Sequence, residues 1–185
     1  MSSEKVRTAW KRIDKEIVFE TPVFNLFREK SRSLRTGAEN DFYYFACVDW
    51  VNVAAITPDK HLVMIRQFRH GSERWEMEIP GGGIDRSDSN PVEGGVRELF
   101  EETGYRGSNA RIIGKVCPNP ALQGNFCYTV MIENAVKVSE PEMEATEDIE
   151  TTLIPLAELR NMIKEGIVTH GLVLNALHFL ELSLH

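Results

Sequence analysis

The chain has 185 residues, enough for one domain, or one domain with a small subdomain, around a real core. Its 42% hydrophobic and 26% charged content is ordinary for a globular protein and excludes collagen-like, wholly disordered and disulfide-scaffold chains. With 21 basic against 28 acidic residues the formal charge is −7. That balance argues against nucleic acid as a partner, but not against a small phosphorylated substrate held through divalent cations.

No stretch approaches the roughly 20 apolar residues of a membrane helix, so no membrane association is expected. The charged N-terminus, with Lys5, Arg7, Lys11 and Arg12, leads into no apolar h-region and does not read as a secretory signal. Cys47, Cys117 and Cys127 are odd in number and form no CxxC pair, which fits reduced thiols in a cytoplasmic protein.

In chain order the pattern is α+β. Residues 16–28 are β-type, broken by Pro22, and residues 30–40 read as an exposed loop or hairpin tip. Residues 42–56, rich in aromatic and β-branched side chains, predict one long or two short strands. Thr57-Pro58-Asp59-Lys60 is turn chemistry, and His61–Phe68 reads as the returning strand of a hairpin over 48–68. Trp75–Ile79 alternates like a short half-buried strand, ended by Pro80-Gly81-Gly82-Gly83. Pro91 suits the start of a helix running to about Thr103, with Gly104 as its stop. Strands are expected near 111–117, 126–133 and 149–154, a short helix near 156–165, an acidic loop over 139–150, and a last helix over 171–184.

The helix after the triple glycine carries the chemistry. At about 100° per residue, Glu98, Glu101 and Glu102 share one stripe, while Val92, Val96, Leu99 and Phe100 form an opposite, core-facing one. Three like charges so close weaken a helix unless hard cations relieve them, and Mg²⁺ prefers such oxygen ligands. Gly94 and Gly95 each cost about 0.5–1 kcal/mol relative to alanine in a helix. Either they permit a close approach or they are merely tolerated. Arg97 lies beside the ridge, placed to orient a carboxylate through a forked ion pair or to make a surface pair with Glu93.

The string from Gly81 to Tyr105, GGGIDRSDSNPVEGGVRELFEETGY, resembles the Nudix box G-x5-E-x7-R-E-U-x-E-E-x-G-U, where U is bulky and apolar. The half from Arg97 to Tyr105 matches throughout. In the first half Ser89 stands where the pattern has Glu; one inserted residue places Asp88 there and Gly82 at the first glycine. The preceding VAAITPDKHLVMIRQFRHGSERWEMEIPGGGID, the late EATEDIETTLIPLAEL and the final GLVLNALHFL are similar to ADP-ribose and nucleoside diphosphate sugar pyrophosphatases.

The resemblance implies a Nudix α/β/α sandwich with a mixed sheet over 46–185. It further implies an N-terminal β subdomain over 1–45 that helps to build a homodimer. Glu98, Glu101 and Glu102 would bind Mg²⁺ or Mn²⁺ with help from a glycine-run carbonyl, assigned to Gly82. Arg97 would serve the catalytic carboxylates. A late-loop glutamate, Glu144 or Glu147 ahead of Glu140 and Glu142, would be the base. Arg69 and Glu78 match positions that hold substrate or support the metal site. The implied reaction hydrolyses the diphosphate of ADP-ribose or another nucleotide sugar. A nucleoside triphosphate sanitiser and a non-catalytic nucleotide-binding module are the alternatives; the long N-terminal β segment counts against the first, the intact glutamates against the second. Trp50, Tyr44 and Phe24 are candidates to stack on a base, Asn119 and Gln123 lie in a loop expected near the site, and His170 and His178 read as packing or solvent-exposed residues rather than metal ligands.

Overall fold

The computed structural model describes residues 9–143 and 148–184, and these fall into two compact units. The first holds the residues up to Val48 together with Asn119–Asn125. Here β1 (Trp10–Glu20), β2 (Asn25–Ser33) and β3 (Glu39–Ala46) form an antiparallel sheet in the order β1-β2-β3. Pro22 does lie in a break: the Thr21 hydroxyl accepts the Phe24 N–H at 2.9 Å and closes the turn between β1 and β2. The 30–40 segment is mostly strand, with only 34–38 left as the tip. Phe45 N–H donates to the Leu122 carbonyl at 2.8 Å, so the segment carrying Asn119 and Gln123 is built into this unit. β1 is an edge strand and is exposed along its whole length, Trp10, Ile13, Ile17 and Phe19 included.

The second unit holds two sheets and three helices. β4 (Trp50–Ala55) pairs antiparallel with β7 (Gly81–Gly83) and parallel with β9 (Cys127–Lys137), and β9 pairs antiparallel with β8 (Tyr105–Val116), so this sheet is mixed. β5 (His61–Arg69) lies between β6 (Arg74–Glu78) and β10 (Ile149–Pro155) in an antiparallel sheet. The helices are α1 (Pro91–Thr103), α2 (Leu159–Lys164) and α3 (Gly171–Ser183).

The period-2 alternation of β4 builds the layers. Val51, Val53 and Ala55 join Leu99 of α1, whereas Ala54 and Ile56 join Val173, Ala176 and Leu177 of α3. The mixed sheet therefore has one helix on each face.

Three expectations are corrected. The hairpin over 48–68 does not form: β4 and β5 lie in different sheets and share only an isolated bridge, Ile56 to Leu62. The Thr57 turn is present, its hydroxyl accepting the His61 N–H at 3.0 Å, but both strands, apolar on both faces, find other partners. The triple glycine is not merely a strand stop; it is β7, whose lack of side chains lets Gly81 sit against the Val51 carbonyl. β8 starts at Tyr105, well before residue 111, because the chain pairs with β9 directly after the Gly104 turn.

Candidate metal and substrate site

The ends of α1 are specified as the sequence suggests. The Asn90 side chain accepts the Val92 and Glu93 N–H groups at 2.9 and 3.2 Å, Pro91 follows, and Gly104 closes the helix at φ 73°.

The buried face differs from the expected stripe. Leu99 is buried, but Val96 is exposed and Phe100 half-buried beneath Arg106, 4.1 Å from its ring. The inward arc instead runs through Gly94, Gly95, Leu99, Glu102 and Thr103. Gly95 is the cause: a Cβ there would meet Val51 and Val130 side chains at 3.2 Å, so the helix approaches the sheet on its glycine side. That rotation turns Glu102 inward, to 4% exposure, and brings the acidic ridge against β7.

Two of the three glutamates touch the glycine strand. The Gly81 N–H donates to Glu102 Oε2 at 2.9 Å. A Cβ on Gly82 would lie 2.5 Å from Glu98 Oε1, so the Glu98 carboxylate rests on the bare backbone there. Glu101 is more exposed and accepts Arg97 Nη1 at 2.8 Å.

Arg97 organises the ridge. Its guanidinium also pairs with Glu98 at 3.1 Å, donates to the Gly83 carbonyl at 3.1 Å, and grips Asp88 through Nε and Nη2 at 3.2 and 3.0 Å. Asp88 in turn accepts the Asp85 N–H at 2.8 Å and lies over Gly94. The Arg97 guanidinium holds the Asp88 carboxyl below the usual carboxylate range, and Asp88 raises Arg97 above its ordinary value even though burial opposes this. Asp88, the acid that one inserted residue brings to the early position of the pattern, is thus bonded directly to Arg97.

A cleft of about 490 Å³ lies beside the glycine strand. Arg69, Glu78, Trp50 and His170 are among its lining residues. Arg69 and Glu78 form a two-bond fork at 2.7 and 2.8 Å, with Glu78 almost fully buried. Glu78, against the opposing cost of burial, raises the Arg69 guanidinium pKa, with Glu102 and Glu76 adding to it. Gly81–Gly83 line the cleft as well, so β7 is a wall shared by the cleft and the acidic ridge.

The donor set fits a hard divalent cation: carboxylate oxygens of Glu98, Glu101 and Glu102 with backbone carbonyls of a glycine strand open to close approach. Among the described residues no three acidic, histidine or cysteine side chains have already converged into a cage; Arg97 Nη1 bridges Glu98 and Glu101, and the Gly81 N–H holds Glu102.

Of the remaining candidates, Trp50 lines the cleft, while Tyr44 stacks on Phe27 and Phe24 packs edge-on against Phe45 in the other unit. Glu144 and Glu147 lie outside the described residues. The chain just before them is tied to α1: the Glu142 N–H donates to the Glu101 carbonyl at 2.8 Å. Glu140 is exposed and pairs with Lys137. Sequence reasoning gave Asn52 no role and read His170 as packing or exposed; both line the cleft, and only the tertiary fold brings them there.

The NUDIX domain family model matches residues 48–175. The chain is 26% identical over 174 residues to an ADP-ribose pyrophosphatase of Bacillus subtilis (strain 168), covering 94% of this chain and 93% of that protein. It is 28% identical over 149 residues to a CMP-5'-(N-acetyl-N-hydroxy-3-aminopropyl)phosphonate hydrolase of Streptomyces rubellomurinus, covering 80% and 71%. The crystal structure of an ADP compounds hydrolase superposes with a TM-score of 0.84 at 19% identity, covering 98% of this chain and 97% of that one, which bears out the α/β/α sandwich.

Proposed function

The chain belongs to the Nudix family and is a hydrolase of that family, and from that premise we propose that it splits the diphosphate of ADP-ribose or another nucleoside diphosphate sugar. The products are a nucleoside monophosphate and a sugar phosphate. The observation that carries this reading is the contact of Glu98 and Glu102 with the glycine strand that also walls the cleft. The likeness to the Bacillus subtilis ADP-ribose pyrophosphatase over nearly the whole chain supports the substrate class.

Glu98, Glu101 and Glu102, with the Gly82 carbonyl, are the residues to hold Mg²⁺ or Mn²⁺. When bound, the cation supplies charge neutralisation on the diphosphate and a water acidic enough to attack phosphorus. Arg97 keeps the carboxylates aimed, and Asp88 keeps Arg97 in place. Arg69, held by Glu78, presents its cation to the cleft, where it attracts the diphosphate. The proton of the attacking water goes to Glu144 or Glu147, on the segment that follows the Glu142 tether to α1.

A homodimer is part of this reading. An exposed edge strand carrying Trp10, Ile13, Ile17 and Phe19 is suited to being covered by a second copy. Light scattering on the purified chain tests it, and a monomer at micromolar concentration refutes it.

The activity test is incubation with Mg²⁺ and ADP-ribose, GDP-mannose, UDP-glucose and oxidised nucleoside triphosphates. Turnover of a diphosphate sugar, lost in Glu102→Gln with an unchanged melting curve, is the expected result. A preference for triphosphates, or a fully active Glu102→Gln, refutes the proposal.

A further inference from the structure

The cleft wall formed by β4 and α3 carries polar groups that the reaction as described does not use. Along β4, Trp50 and Asn52 continue the row of Ala54, which packs on Val173 and Ala176 of α3. His170, the residue before α3, lines the same cleft. Of the five buried side-chain polar atoms left without a hydrogen bond among the described residues, two belong to this wall: Asn52 Nδ2 and His170 Nδ1. Buried polar groups without partners are rare in native proteins, and each calls for an explanation such as a water, ion or ligand that completes it.

The residue before His170 is held by a network of side-chain bonds that His170 Nδ1 does not join. The Thr169 hydroxyl donates to Glu76 Oε2 at 2.8 Å and accepts Arg74 Nη2 at 3.0 Å, and Arg74 Nε donates to Glu76 Oε1 at 2.7 Å. This latch pins the backbone before α3 to β6. The His170 side chain makes no capping bond to α3.

The chemistry of the wall selects among the parts of a nucleotide sugar. An amide nitrogen only donates, and an imidazole nitrogen donates or accepts according to its tautomer. The Glu76 and Glu78 carboxylates line the same cleft, each already paired with an arginine, Arg74 and Arg69. An uncharged hydroxyl, which both donates and accepts, suits this mixture. We propose that His170 and Asn52 bind hydroxyl groups of the substrate's terminal sugar and so favour a sugar-bearing diphosphate over a bare one. The assignment rests on the nucleotide-sugar reading above. Both nitrogens are covered in this conformation, so engagement turns the imidazole and the amide about their side-chain bonds toward the cleft.

The experiment compares the KM and kcat for ADP-ribose with the inhibition constant of ADP, which lacks the terminal sugar, in the Mg²⁺-loaded enzyme. In His170→Ala and Asn52→Ala the KM for ADP-ribose should rise about threefold to tenfold, the effect of one lost neutral hydrogen bond. The kcat and the ADP inhibition constant should stay within about twofold on the same basis. His170→Gln, which keeps a hydrogen-bonding group and guards against a misfolded alanine variant, should recover part of the KM. An unchanged KM, or equal losses for ADP-ribose and ADP, overturns the assignment. A wild-type protein that cleaves no diphosphate sugar overturns the nucleotide-sugar reading, and this assignment with it.

Discussion

Replacing Gly82 with alanine should disarm the acidic face of α1 while leaving the fold standing. The added Cβ would sit 2.5 Å from Glu98 Oε1 and 2.7 Å from its Cδ. Ordinary contact requires the carboxylate to retreat by roughly 1 Å. The three nearest atoms all belong to this carboxylate, the far end of a flexible side chain, so Glu98 swings away. A misplacement of about 1 Å at a reacting centre costs on the order of 10²-fold in rate. The neighbouring Gly81→Ala is the control. Its Cβ would fall 2.2 Å from the Val51 carbonyl oxygen, a backbone atom of the β4 ladder that cannot retreat cheaply. Overpacking of that kind costs about 1–3 kcal/mol, and about 2–4 °C of Tm per kcal/mol in a chain of this size. Scanning calorimetry, Mn²⁺ titration by electron paramagnetic resonance and kcat/KM for ADP-ribose separate the two. Gly82→Ala should melt within about 2 °C of wild type, bind Mn²⁺ more weakly and lose about 10²-fold in kcat/KM. Wild-type Mn²⁺ affinity and turnover in Gly82→Ala would refute the reasoning.

Other consequences follow from the same geometry. Asp88→Asn removes the anion that holds Arg97 by two bonds; stability should fall by about 1.5–3 kcal/mol in urea unfolding, with kcat falling further than KM rises. Because Arg97 depresses the Asp88 pKa in the folded chain, this contribution is complete above the unfolded value of about 3.9 and is lost as pH falls through the lower folded value. Wild type should therefore lose stability below about pH 4, and the part of that loss due to Asp88 should be missing in Asp88→Asn. Burial, with Asp49 adding to it, pushes the Cys127 thiol up to about 12, so Cys127 should resist a thiol reagent at pH 8 while exposed Cys117 reacts; mass spectrometry of the labelled chain reads the difference. Gly104→Ala should cost several kcal/mol, since the residue holds φ 73° and a Cβ would collide with the Ser139 carbonyl, and chemical denaturation measures it.

Sequence signals read the site's local parts well. Asn90, Pro91 and Gly104 bracket α1, and the spacing of Glu98, Glu101 and Glu102 groups them on one ridge, because caps and side-chain spacing act within a few residues. What depends on distant partners was not legible. The acidic stripe and the apolar stripe of α1 were separable on a wheel, but the wheel does not say that Gly95 draws the helix onto Val51 and Val130, burying Glu102 and exposing Val96. The same holds for β4 and β5. Their turn residues are those of a hairpin, and only the competition between β9, β7, β6 and β10 for strand edges decides that they separate. Asp88 is intermediate: one inserted residue hides it from a fixed pattern, and only the folded chain shows its fork with Arg97.

The connection from β8 to β9 contributes Asn119–Asn125 to the N-terminal unit, where Leu122 accepts the Phe45 N–H. The polypeptide thus passes between the two units three times rather than once. Neither half can be excised by a single cleavage as a self-contained piece: a fragment beginning at residue 49 would carry a stranded loop bereft of its strand, and one ending at residue 48 would have forfeited it. Dissection of this protein is better attempted by circular rearrangement or by swapping that loop than by truncation.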